Sequence, residues 1–246
     1  MATDLLKLQK DWDTLGKQDP LYAISTVKGK EGGKWDIQDF FQRGVDEIES
    51  IMNQKDLLNL KISYIRALDF GCGVGRVTQS LAKYFDHIDG VDISPSMIEL
   101  ANTYNKFGDK ITYHINNENS LKIFHDNTYD FIYSTEVLQH MHPMYQENFL
   151  KEFLRVLSPE GLLVFQLPSE PSTLNKKIMM CFQKGNLFSK MYWKLRNRPV
   201  MALMEYYCNP RENVERFLLK NGAQHVYAMR DARTAVISYN YFVTKY

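Results

Sequence analysis

Cysteine is scarce in this 246-residue chain and shows no pattern: Cys72, Cys181 and Cys208 form no Cys-x-x-Cys pair and no Cys/His cluster at ligand spacing. Nothing in that arrangement points to a metal centre or a disulfide framework, and reduced thiols are the expectation. An excess of one charge is also lacking, with Lys+Arg 30 against Asp+Glu 29. No global field therefore draws the chain to nucleic acid or to an anionic bilayer. No run of about 18 apolar residues occurs, and the opening MATDLLKLQKDWD mixes charged with apolar residues where a signal peptide needs an apolar centre. These absences predict a cytoplasmic chain with no metal, no nucleic-acid partner and no stable membrane insertion. Internal repeats and low-complexity segments are missing as well.

What is present is apolar material: 44% of the residues are hydrophobic, enough for one α/β domain. Leu5, Leu8 and Trp12 stand at helical intervals between Asp4 and Trp12, and Phe40, Val45, Ile48 and Ile51 do so between Asp36 and Met52, with Asp36 placed to cap. Short strand-like runs follow at YIRALDF (64–70), HIDGVDI (87–93), ITYHI (111–115), YDFIY (129–133) and GLLVFQL (161–167). Helical patterns separate them: VTQSLAKYF, a segment capped by Ser94 and opened by Pro95, and stretches near 138 and at 145–156. Strand alternating with helix implies a parallel sheet. A further helix is expected after Asn209 and Pro210, stopping at Asn221-Gly222, with strands near 224–230 and 235–244 as a closing antiparallel hairpin. The whole predicts one domain: a helical cap (1–60), a core (61–168), an aromatic, basic helical insertion (169–207), and a final helix and hairpin (208–246). The insertion holds Tyr192 and Trp193 together with Lys176, Lys177, Lys190, Lys194, Arg196 and Arg198, which read as a solvated face or as a surface for an anionic acceptor or lipid.

The sharpest local feature is LDFGCGVGR, 68–76, a strand turning through Gly71, Gly73 and Gly75 into a helix. Glycines let the backbone approach a ligand, and the helix start offers N–H groups to an anion. A dinucleotide fingerprint requires G-x-G-x-x-G, and Arg76 stands where its last glycine belongs, which argues against NAD. Asp69, two residues before the loop, would repel a pyrophosphate but pair with an ammonium. Asp92, about 20 residues past the loop, is placed to accept from two ribose hydroxyls or to serve a helix start. Ile93 and Met97 fit the faces of an adenine or ordinary core equally well. Charge logic favours S-adenosylmethionine.

The successive stretches ALDFGCGVGR, GVDISPSMIELA, YDFIYSTEVLQH and LRVLSPEGLLVF resemble, in order and spacing, the motifs of class I S-adenosylmethionine-dependent methyltransferases of the UbiE-like, type 11/12 group. The resemblance covers Tyr64 to Pro168. It implies a Rossmann-like sheet of seven strands, mostly parallel with an antiparallel last strand, helices on both faces, a helical cap and an insertion after strand 5. It also implies that Asp69 with Gly71, Cys72, Gly73 and Gly75 holds the methionine portion and Asp92 the ribose. Asn117, in NNENSL, falls where the family meets the adenine amino group, with Asn116 or Asn119 as alternatives and Ser120 and Leu121 beside it. The segments DPLYA and GKWD resemble an element that folds over the cofactor in related proteins, which nominates Trp35 for the cofactor and Tyr22 for the acceptor.

Methyl transfer from a sulfonium needs an aligned acceptor and exclusion of water more than it needs catalytic side chains. The stretch STEVLQHMHP places Thr135, Glu136, His140 and His142 at the carboxyl end of the sheet, where ligands of open α/β sheets bind. Relatives carry histidine at the position of His140, so it is the candidate general base; the alternative is a histidine that holds a helix by hydrogen bonds. Thr135 is assigned to the cofactor, Glu136 to a helix start and His142 to solvated loop. Tyr206 and Tyr207 are candidates for the roof of an acceptor pocket or for the core of the insertion. The expected activity is methylation of O, N, S or C on a small-molecule acceptor. Methylation of protein or RNA, or a scaffold that kept only the fold, are the other readings. No Asn-Pro-Pro-Tyr tetrapeptide follows the fourth strand, which counts against a macromolecular acceptor.

Overall fold

The computed structural model describes residues 2–171, 205–232 and 236–245. The expected helices and aromatic contacts of 172–204, including Tyr192, Trp193 and the six basic residues, lie outside the described residues. Among the described residues, seven strands form one sheet in the order β3-β2-β1-β4-β5-β7-β6. They are β1 (Arg66–Phe70), β2 (His87–Asp92), β3 (Ile111–Ile115), β4 (Tyr129–Ser134), β5 (Leu157–Glu170), β6 (His225–Arg230) and β7 (Ile237–Thr244). The first five run parallel, and β7 lies antiparallel to both β5 and β6. The order reverses between β1 and β4, and the carboxyl ends flanking that reversal open a crevice.

Central strands are buried along most of their length because helices cover both faces. On one face Phe70, Leu163 and Phe165 pack with Phe149, Leu150 and Phe153 of α6 (Pro143–Val156) and with Val214 and Leu218 of α7 (Arg211–Lys220). On the other, Phe131, Leu162 and Val164 meet Ile48 and Ile51 of α3 (Ile37–Leu57) and Val77 and Leu81 of α4 (Arg76–Leu81). Gly44 makes the second packing possible, since a Cβ there would sit 2.4 Å from the Arg76 carbonyl oxygen. The Asp36 carboxylate caps α3 through the Gln38 and Asp39 N–H groups, and Ser94 caps α5 (Pro95–Tyr104) through Met97, both as the sequence predicts.

The first helix, α1 (Ala2–Gln18), continues past Trp12 and ends at Asp19-Pro20, where the sequence marks a break, and Asp19 caps the short α2 (Pro20–Ile24). One feature differs from the sequence reading. Asn209 does not cap α7; its amide donates instead to Gln146 of α6, and Pro210 occupies the cap position. Leu15, Tyr22, Trp35, Phe40, Val74 and Met97 form a separate small core that seats the N-terminal helices on the edge of the crevice.

Candidate active site

A cleft with about 1430 Å³ of atom-free space, part of it open to solvent, lies over the carboxyl ends of β1, β2 and β4. Its floor is the turn from β1 into α4. Gly71, Gly73 and Gly75 all have positive φ, at 78°, 52° and 83°. A side chain at Gly71 would strike Val137, at 2.1 Å from Cγ2, and one at Gly73 would strike Ile24, at 2.6 Å from Cδ1. The bare backbone is therefore wedged between the loop after β4 and α2. Gly75 serves differently from the expectation: it does not line the cleft, and a Cβ there would meet the Tyr113 hydroxyl at 2.2 Å.

Two carboxylates flank this turn. Asp92 closes β2, accepting from the Gly73 N–H and the Ser94 N–H at 2.9 Å each. Asp69 accepts from the Thr78 hydroxyl at 2.6 Å. Burial pushes the Asp69 carboxyl up to about 7; Thr78 and Arg76 oppose that shift, and the negative charges of Glu47 and Asp92 add to it. Burial likewise raises Asp92 against the pull of its backbone donors. Desolvation raises both carboxyls, so a cation beside them is favoured because it pairs with and stabilises their ionised forms. Arg76 does not fill that place alone, because its guanidinium is paired at 2.9 Å with Glu47 of α3, which also accepts from the Tyr133 hydroxyl at 2.7 Å.

The loop after β4 forms the far wall. Thr135, Glu136, Val137, Gln139 and His140 all line it, and Glu136 takes a left-handed backbone, φ 58°. Glu136 is thus a cleft residue just ahead of the 3-10 turn at Leu138–His140, not a helix-start carboxylate. His140 Nδ1 donates to the Glu205 carbonyl at 2.7 Å, which leaves Nε2 as acceptor toward the Gln139 amide at 3.2 Å. Burial lowers its pKa to about 4, so the ring is neutral at physiological pH. His142 caps α6 rather than standing in loose loop.

The roof comes from distant parts of the chain. Leu5, Leu8 and Trp12 of α1, Ile24 of α2, Thr26, and Tyr206 cover the cleft. Trp12 and Tyr206 both stand edge-on to His140, at 5.2 and 6.0 Å between centroids. α1 is fastened by Gln9 donating to the Ile93 carbonyl, by the Ser96 N–H donating to Asp13, and by an ion pair between Lys7 and Glu205.

Of the residues nominated from sequence, Asp69, Gly71, Cys72, Gly73, Asp92, Ile93, Met97, Thr135, His140 and Tyr206 share this cleft. Among the rest, the alternative Asn116 lines it and the others do not. Tyr22 and Trp35 turn into the small core, the first reaching Glu31 and the second donating to the Ser25 carbonyl, so the N-terminal element covers the cleft with its other side. Leu121 is buried in the main core, and the Ser120 carbonyl accepts from Asn116. Asn117 is exposed, and its neighbours Asn116 and Glu118 line the cleft. Tyr207 leans on His142 and donates its hydroxyl to Glu205. Sequence reasoning missed Trp12, Ile24, Thr26 and Glu118. The Leu5, Leu8, Trp12 spacing signalled a buried face without saying what it covers; Thr26 and Glu118 carry no local signal.

Residues 68–165 match the family model described as a methyltransferase domain. The chain is 35% identical over 103 residues to a malonyl-[acyl-carrier protein] O-methyltransferase from Bacillus cereus, covering 41% of this chain and 36% of that protein. It is 27% identical over 168 residues to a ubiquinone biosynthesis O-methyltransferase from Pelagibacter ubique, covering 68% of this chain and 60% of that one. The chain thus spans less than two thirds of these relatives. A crystal structure of magnesium protoporphyrin IX methyltransferase from Synechocystis with bound SAH superimposes with a TM-score of 0.65 at 18% identity, over 98% of this chain and 99% of the other.

Proposed function

We propose that this chain, whose residues 68–165 match a methyltransferase domain, transfers a methyl group from S-adenosylmethionine to O, N, S or C of a small-molecule acceptor. The observation that carries the reading is the pair of buried carboxylates, Asp69 and Asp92, on either side of a glycine turn no side chain can enter. Such a floor suits a ligand with a cationic amino acid at one end and a sugar diol at the other. Asp69 would ionise against the ammonium, Asp92 would accept from the ribose hydroxyls, and Ile93, Met97 and Asn116 stand where an adenine would follow. The bound donor supplies an electrophilic methyl carbon: the acceptor's lone pair bonds to it while the carbon–sulfur pair stays on sulfur. The chain's own part is to hold the two molecules in line beneath Trp12 and Tyr206 and to keep water out. A small acceptor is favoured by the covered cleft and by the near-neutral charge of the chain. Of the relatives named above, the ubiquinone biosynthesis O-methyltransferase supports the same reading, whereas the malonyl-[acyl-carrier protein] O-methyltransferase is named for an acceptor carried on a protein.

Titration calorimetry with S-adenosylhomocysteine tests this. Wild type binds, and Asp92→Ala binds about tenfold to a hundredfold more weakly, for loss of charge-assisted hydrogen bonds worth ~1–3 kcal/mol. Equal affinity in the two proteins would place the sugar elsewhere.

A further inference from the structure

The cleft adjoins a second cavity. The two share Thr26, Arg76 and Glu136, and beyond that throat the second cavity is walled by Arg43, Asp46 and Glu47, among other residues. We infer that this antechamber admits the methyl acceptor, and that the acceptor is a small amine held as an ammonium by the Glu136 carboxylate at the throat. The inference rests on the methyl-transfer reading and gives it a substrate class.

Charge is the first argument. Carboxylates outnumber guanidiniums around the antechamber by one, and Arg76 is already committed to Glu47 at 2.9 Å. Glu136 is exposed to the cavity, and its charge acts on both Arg76 and Tyr206. Placement is the second. Glu136 reaches the throat only by adopting φ 58°, a conformation uncommon for a residue of its kind, and its N–H is held by the Gln166 side chain, itself fixed on Ser238. Across the cleft the rings of Trp12, His140 and Tyr206 present aromatic surface that a cation favours. His140 adds no competing charge, and both its nitrogens are engaged.

A second group points to a ligand. Arg76 is only 7% exposed, lines both cavities, and its Nε–H has no partner. An acceptor with an oxygen near its amine satisfies that donor while its nitrogen faces Glu136. The ammonium must lose a proton before its lone pair can attack. The Glu136 carboxylate takes it and releases it to solvent through the antechamber, and the methylated nitrogen carries the positive charge that leaves sulfur.

The test is calorimetric titration of ethanolamine into protein saturated with S-adenosylhomocysteine, with catechol as a neutral hydroxyl comparison. Wild type binds ethanolamine more tightly than catechol, and Glu136→Gln weakens ethanolamine by about tenfold or more while leaving catechol unchanged. Glu136→Asn, which suits the left-handed backbone, gives the same loss and guards against a folding artefact. The inference is overturned if wild type fails to bind ethanolamine, if catechol binds more tightly, or if the two variants bind ethanolamine as wild type does. Failure of wild type to bind S-adenosylhomocysteine overturns the methyltransferase reading itself.

Discussion

The floor of the cleft is backbone and buried charge, contributed by neighbouring stretches of chain, whereas its roof is side chains reaching in from segments as far apart as Leu5 and Tyr206. Floor contacts tolerate nothing larger than hydrogen: the space around Gly71 and Gly73 is filled to within 2.1 and 2.6 Å of where a Cβ would lie. The roof is looser, resting on ring contacts at 5.2 and 6.0 Å, on the Gln9–Ile93 and Ser96–Asp13 hydrogen bonds, and on the ion pair of a half-exposed Lys7 with Glu205. A rigid floor sets where a donor lies, and a roof pinned by weak contacts can lift to exchange it. Substitutions on the two sides should therefore fail in different ways.

The largest effect is expected on the floor. Gly73→Val combines a forced left-handed backbone with a clash against Ile24, a strain of about 1–3 kcal/mol before any ligand is blocked. Calorimetry should find S-adenosylhomocysteine binding lost, and a variant that binds normally would remove the glycine turn from the site. The smallest effect is expected on the roof. Lys7→Ala removes a surface ion pair worth up to about 1 kcal/mol, so the melting temperature barely moves. Stopped-flow release of S-adenosylhomocysteine should quicken by about two- to fivefold at nearly unchanged association rate; an unchanged release rate would mean that α1 does not gate the cleft.

The same contrast explains what could be read from the sequence. Strands, glycine turn, Asp69, Asp92 and the loop holding Thr135 and His140 were legible because each is a local pattern with one physical reason. A seven-stranded, mostly parallel sheet with an antiparallel last strand followed from the alternation of elements and the resemblance together, whereas the strand order came from the structure. Tyr22 and Trp35 were assigned to the wrong side of the N-terminal element because spacing reveals a buried face, not the surface it is buried against. Trp12 and Thr26 enter the site through tertiary packing alone. Asn117 and its neighbour differ by one residue past the end of β3, where side chains alternate between cleft and solvent. Gly75 looked like a ligand glycine and instead makes room for Tyr113.

The central claim, a floor built to receive a cation, is tested most directly by following S-adenosylhomocysteine affinity from pH 6 to 8 in wild type and in Asp69→Asn. Burial pushes the Asp69 carboxyl up to about 7, and it must be ionised to pair with an ammonium. Affinity should then be full above that value and fall toward tenfold per unit as the pH drops below it, with proton release on binding, while Asp69→Asn binds weakly and without that slope. A wild-type affinity that is flat across the range, or one that rises on acidification, would contradict the account.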